Sequence, residues 1–177
     1  MERPEAFASD EAYASAWKHR CDAHYKAMVS YRYHRKRQRF FDLLDKWTKA
    51  LTVIAGASLL SEPIKQSVPV VALGISVIGL LSLVFGYGDR KQSHKELAES
   101  FANAVAKIEG TAHALLTPQL VASWNSDVSA IGAKEPPQLH ALVTICEREQ
   151  SIANGHPDHV PQLPFIERFA ADWVSFG

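Results

Sequence analysis

Residue types able to do chemistry cluster at three places in this chain. His156, Asp158 and His159 stand in the polar loop NGHPDHVPQLP, and His19, Cys21 and His24 lie close together upstream. Imidazole, thiolate and carboxylate all ligate zinc, but neither group has the closed four-ligand spacing of a structural zinc site. Two His flanking Pro157 read as a polar turn, so no metal ligand is expected. The third place is YRYHRKRQRFF, Tyr31 to Phe41, where aromatics interleave with Arg32, Arg35, Lys36, Arg37 and Arg39. Such a mixture can stack on bases and neutralise phosphates. The chain has no Gly-rich phosphate loop, no G-x-S-x-G elbow and no H-E-x-x-H. Glu147 and Glu149 sit two apart and cannot share a helix face. No catalytic residue and no cofactor are expected, and the chain does not read as an enzyme.

The hydrophobic residues downstream of the basic and aromatic run must position it. Gln66 to Gly88, QSVPVVALGISVIGLLSLVFGYG, holds 23 residues without a charge. At ~1.5 Å per residue it would reach ~35 Å, enough for a ~30 Å hydrocarbon core. Ahead of it, WTKALTVIAGASLL contains Ala50 to Ser61, 12 uncharged residues that need snorkelling by Lys46 and Lys49 to span. Trp47 stands where an interfacial anchor belongs. The short link SEPIKQ makes the pair a hairpin, with spans at about 47–61 and 67–88. Arg32, Arg35, Lys36, Arg37, Arg39, Lys46 and Lys49 precede the hairpin and Arg90, Lys91 and Lys95 come after it, against Lys65 alone in the link. That bias places both termini in the cytoplasm of a two-span inner-membrane protein. The basic run is then expected to face anionic lipid at about 1 kcal/mol per basic residue, and no nucleic-acid partner is expected.

The balance of 19 basic and 19 acidic residues implies no strongly charged partner for the chain as a whole. Cys21 and Cys146, both on the cytoplasmic side, are expected unpaired. The polar start MERPEAFASDE lacks a secretory h-region, so the first hydrophobic segment would serve as insertion signal. Ser9 or Asp10 caps a long helix. Tyr13, Trp17, Cys21, His24, Met28 and Tyr31 share one stripe of it, and Leu97, Phe101, Ala104, Ile108, Ala112 and Leu115 share another on a later helix. These read as two packed cytosolic extensions. Thr117-Pro118, Pro136-Pro137 and a segment with Phe165, Ile166, Phe169, Ala170 and Trp173 open three further helices, with Gly155 as a stop. The fold class is all-α: an N-terminal amphipathic helix (1–46), the hairpin (47–88), and a helical region (89–177) ending in a small bundle.

Small residues fall on one face of each hydrophobic segment: Thr52 and Gly56 in the first, and Ala72, Ser76, Gly79, Ser82 and Gly86 in the second. In lipid such stripes allow close helix approach and weak interhelical hydrogen bonds, so they are candidates for a packing or pore face. No charge lies deep in either segment, which argues against an ion-coupled transporter.

An aromatic N-terminal helix, the run RYHRKRQRFFDLLDKW, two short-linked hydrophobic segments, GDRKQSHKELAESFANAVAKIEG and a compact helical tail together resemble the SLATT family. The resemblance covers about Tyr13 to Trp173. It implies a bacterial antiphage effector that forms homo-oligomers and perturbs the lipid bilayer of the inner membrane. Its implied trigger is a cyclic nucleotide, or a nucleotidyltransferase or sensor protein encoded nearby. The residues themselves fit equally a non-enzymatic two-span anchor that docks a cytosolic partner.

Overall fold

The computed structural model describes residues 7–58 and 68–172, and every regular element among them is helical. The order is α1 (Asp10–Ser58), α2 (Val68–Phe85), α3 (Tyr87–Glu109), a 3-10 turn at His113–Leu115, α4 (Pro118–Gly132), α5 (His140–Ala153) and α6 (Phe165–Ala170). Contacts divide the chain into two compact units, 1–35 with 96–177 and 36–95.

Local chemistry accounts for the helix ends. Ser9 caps α1, its Oγ accepting from the Ala12 amide at 3.1 Å. Thr117 caps α4 through a 3.2 Å bond from Leu120 N–H, with Pro118 in the first turn. α5 ends in a left-handed Gly155 (φ 84), and the His156 amide reaches back to Ser151 O at 2.9 Å in the Schellman pattern. Its start differs from the Pro-Pro signal. The helix begins at His140 because the amide of its N-cap, Leu139, donates to the Tyr33 hydroxyl at 3.1 Å.

In the larger unit, the first half of α1 and the second half of α3 carry the core. Ala16 and Ala23 pack with Ile108, Leu116, Val121 and Trp124, while Ala27 packs with Phe101, Ala104, Val105 and Val128. The expected stripe on α1 is therefore displaced. Alanines form the buried line, Tyr13, Trp17, His24, Met28 and Tyr31 are only half-buried, and Cys21 is exposed. On the later helix Leu97, Phe101, Ala104 and Ile108 are buried as their spacing suggested, but Ala112 and Leu115 are exposed. A third cluster joins Val29 and Tyr33 to Ala141, Leu142, Cys146 and Ala171. The tail thus packs on α1 rather than forming a bundle of its own. α6 spans only six residues, and its Phe165, Ile166 and Phe169 are exposed. Trp173, expected in the same helix, lies outside the described residues.

The transmembrane hairpin requires correction. Among the described residues no helix is long and apolar enough to cross a membrane. The first segment is the end of α1, whose 49 residues are charged over most of their length. α2 holds 18 of the 23 uncharged residues, ~27 Å of rise, and Gly86 at φ 54 ends it ahead of Tyr87 and Gly88. The two-span fold, the multi-pass inner-membrane location and the pore-forming role drawn from it are withdrawn with it. The link at residues 61–66 is outside the described residues.

Ala27 leaves no exposed surface, so added bulk there must push neighbours apart. Ala27→Leu should cost about 1–3 kcal/mol in urea unfolding, whereas Cys21→Leu, on the exposed side, should stay within about 0.5 kcal/mol. Equal midpoints for the two variants would remove Ala27 from the core.

Candidate functional site

In the smaller unit the basic and aromatic residues gather on one ring. Phe41 is buried, with Arg37 4.6 Å and Arg90 5.9 Å from its centroid. His94 stacks on it at 5.6 Å and 11°, and Tyr87 at 6.5 Å and 27°. Next to it, Asp42 takes Lys46 at 2.7 Å and Lys91 at 3.1 Å. A cation over an aromatic face is worth roughly 0.5–1 kcal/mol where exposed. Arg37 and Lys91 thus have partners within the chain, while Arg90 lies over the Phe41 ring and is exposed. Arg32, in the larger unit, donates through Nε to Gln150 Oε1 at 2.9 Å. Arg35 and Arg39 are exposed and Lys36 is half-exposed. Trp47 is exposed. The contacts of Arg32 and Arg37 are with different neighbours, and the described contacts do not gather the run into one site.

The small-residue faces behave differently from what their spacing suggested. Thr52 Oγ1 donates to Thr48 O at 2.9 Å, Thr48 Oγ1 to Leu44 O at 2.8 Å, and Ser76 Oγ to Ala72 O at 2.9 Å. Each hydroxyl bonds the carbonyl one turn back, so none of the three is held for another helix. A Cβ added at Gly56 or Gly79 would meet nothing within 4 Å among the described residues. Gly86 serves as a bend: its φ of 54 favours glycine, and Asp89 Oδ2 lies 3.7 Å from where a Cβ would stand. Ala72 is exposed, and the Ser82 side chain lies outside the described residues.

What remains open is large and apolar. Trp47, Leu51, Val53 and Ile54 on α1 are exposed. On α2 Val70, Leu73, Val77, Leu80 and Val84 are between 47 % and 73 % exposed. Single exposed hydrophobics are ordinary, but a set this dense on consecutive turns marks an interaction surface. This surface is the candidate site.

The larger unit supplies groups that sequence reasoning passed over. His34 is fully buried, stacked on Phe101 at 5.8 Å and 9°, with Nε2 3.2 Å from Glu135 Oε1. That is an ion-pair distance without the alignment of a hydrogen bond. His113 contacts the Tyr13 hydroxyl and lies 5.4 Å from the Trp17 ring. Neither pairing could be found by spacing, since each joins residues about a hundred positions apart. Among the described residues no group of three His, Cys, Asp or Glu is placed to hold a metal. His24 instead meets Glu109 at 2.8 Å. His156 spends its backbone closing the α5 turn, its carbonyl accepting from Ser151 Oγ at 2.6 Å. Both cysteines are free thiols, Cys146 buried.

Comparison with protein-family models, with curated proteins and with solved structures finds no match to this chain.

The Lys46 ammonium, and after it that of Lys91, hold the Asp42 carboxyl below the usual carboxylate range by hydrogen bonding. A lowered folded pKa stabilises above the ordinary value near ~4 and loses that contribution as pH falls through the folded value. Asp42→Asn should therefore flatten the acid limb of the unfolding midpoint between about pH 5 and pH 3, modestly because the site is wet. An acid limb identical to wild type would show that the two lysines add nothing to stability.

Proposed function

We propose that this chain is a non-enzymatic effector that acts by assembling with copies of itself when a nucleotide signal or a sensor partner engages it. The observation that carries the reading is the exposed, charge-free apolar face of α2 in the unit spanning 36–95. Burying such surface yields about 25 cal/mol per Å², and a lone chain leaves that free energy unrealised. The resemblance to the SLATT family supports placing this assembly in bacterial antiphage defence.

One observation favours a second reading, an adaptor that docks another protein. Phe165, Ile166 and Phe169 are exposed together on α6, beside a groove lined by Thr144, Arg148, Leu163 and Arg168. Aromatic anchors of this kind dominate protein interfaces.

The test is expression of the full chain with its neighbouring genes, monitoring growth and sedimentation before and after the trigger. Wild type should shift to larger species and arrest growth. Leu80→Asp, which sets a charge on the α2 face, should reduce both, while Phe165→Asp should leave assembly unchanged. Growth arrest by a chain that stays monomeric would overturn the assembly reading, and arrest lost only in Phe165→Asp would favour the adaptor.

A further inference from the structure

Five of the large side chains of α2 lie on one line. Val70, Leu73, Val77, Leu80 and Val84 succeed one another at three, four, three and four residues. At ~100° per residue they occupy an arc of roughly 80°, about 120° around the helix from the small stripe of Ala72, Ser76 and Gly79. This is a heptad register with Val at every a position and Leu at every d position. The alternation has a specific meaning: β-branched a residues with Leu at d favour two parallel strands over three or four. All five side chains are open on the chain itself.

We propose, resting on the assembly reading, that α2 pairs in parallel with α2 of a second copy through these five residues. The flanking positions set no charge against an identical partner. Gly74 and Leu81 at e, and Ser76 and Leu83 at g, carry no charge, so a copy meets no like charge across the seam. Gly74 and Ser76 are small and let the backbones approach. The Ser76 hydroxyl already bonds Ala72 O at 2.9 Å, so covering it strands no polar group. Eighteen residues hold two and a half heptads, which is short for a coiled coil. A seam of this length pairs reversibly and depends on local concentration, as a triggered assembly requires.

The experiment uses purified full-length chain carrying Cys21→Ala, with the buried Cys146 left in place. Leu73→Cys and Leu80→Cys, both at d, are compared with Ala72→Cys and Gly79→Cys, both at c, under mild oxidation. A parallel pair brings like positions together, so the d variants should form same-position disulfide dimers roughly ten-fold faster than the c variants. Separately, Leu73→Ala with Leu80→Ala should weaken association in sedimentation roughly 10- to 100-fold. Equal crosslinking at c and d, in a chain that still sediments as an oligomer, overturns the seam and leaves the assembly reading standing. Crosslinking confined to the middle of the helix indicates antiparallel pairing and also overturns it. A chain that is monomeric at every concentration removes both readings. A chain that binds phosphatidylglycerol vesicles as a monomer, with Leu80→Cys shielded from a water-soluble maleimide, assigns the face to a lipid surface instead.

Discussion

Two alanines one helical turn apart, Ala23 and Ala27, decide the packing of the larger unit. Neither retains any exposed surface. A methyl at those positions lets α1 sit close to the part of α3 carrying Phe101, Ala104, Val105 and Ile108. Protein interiors are packed near crystal density, so side-chain volume sets helix separation. Once that pair is set, the grooves on its flanks take α4 through Val121, Trp124 and Val128, and α5 through Leu142 and Cys146. The Tyr33 hydroxyl then fixes where α5 starts.

The same unit buries a histidine. His34 with Glu135 is expensive to desolvate, and stacking on Phe101 offsets only part of that cost. Because Glu135 lies just past the end of α4, the pair ties the α4–α5 connection to α1.

The smaller unit is governed by what its polar groups already do. Phe41 collects Arg37, Arg90 and His94, and Asp42 collects Lys46 and Lys91. Ser76, Thr48 and Thr52 turn their hydroxyls onto their own helices. Beside those groups the unit exposes a dense set of hydrophobic side chains, and hydrophobic surface is satisfied by covering it. On the assembly reading, that places function in association rather than in chemistry.

Much was determined by the order of residues alone. Period-3.6 patterning and the absence of period-two alternation specify an all-helical chain, because side-chain direction in a helix is set by spacing. Ser9, Thr117-Pro118 and Gly155 mark helix ends because capping is a local hydrogen-bonding problem. Other features were decided only by tertiary structure. Which stripe of α1 is buried depended on α3, whose bulky Phe101 and Ile108 select the small face and leave Tyr13 and Trp17 at the edge. The length of the apolar helix depended on a positive φ at Gly86, which composition does not reveal. The basic run reads as a ligand for anions, but Arg37 lies over Phe41 and Arg32 bonds Gln150, contacts that spacing does not reveal. His34 and Glu135 stand a hundred residues apart, and no periodicity reaches that far. Local propensities decide elements; the competition of side chains for the same space and the same charges decides which faces remain free.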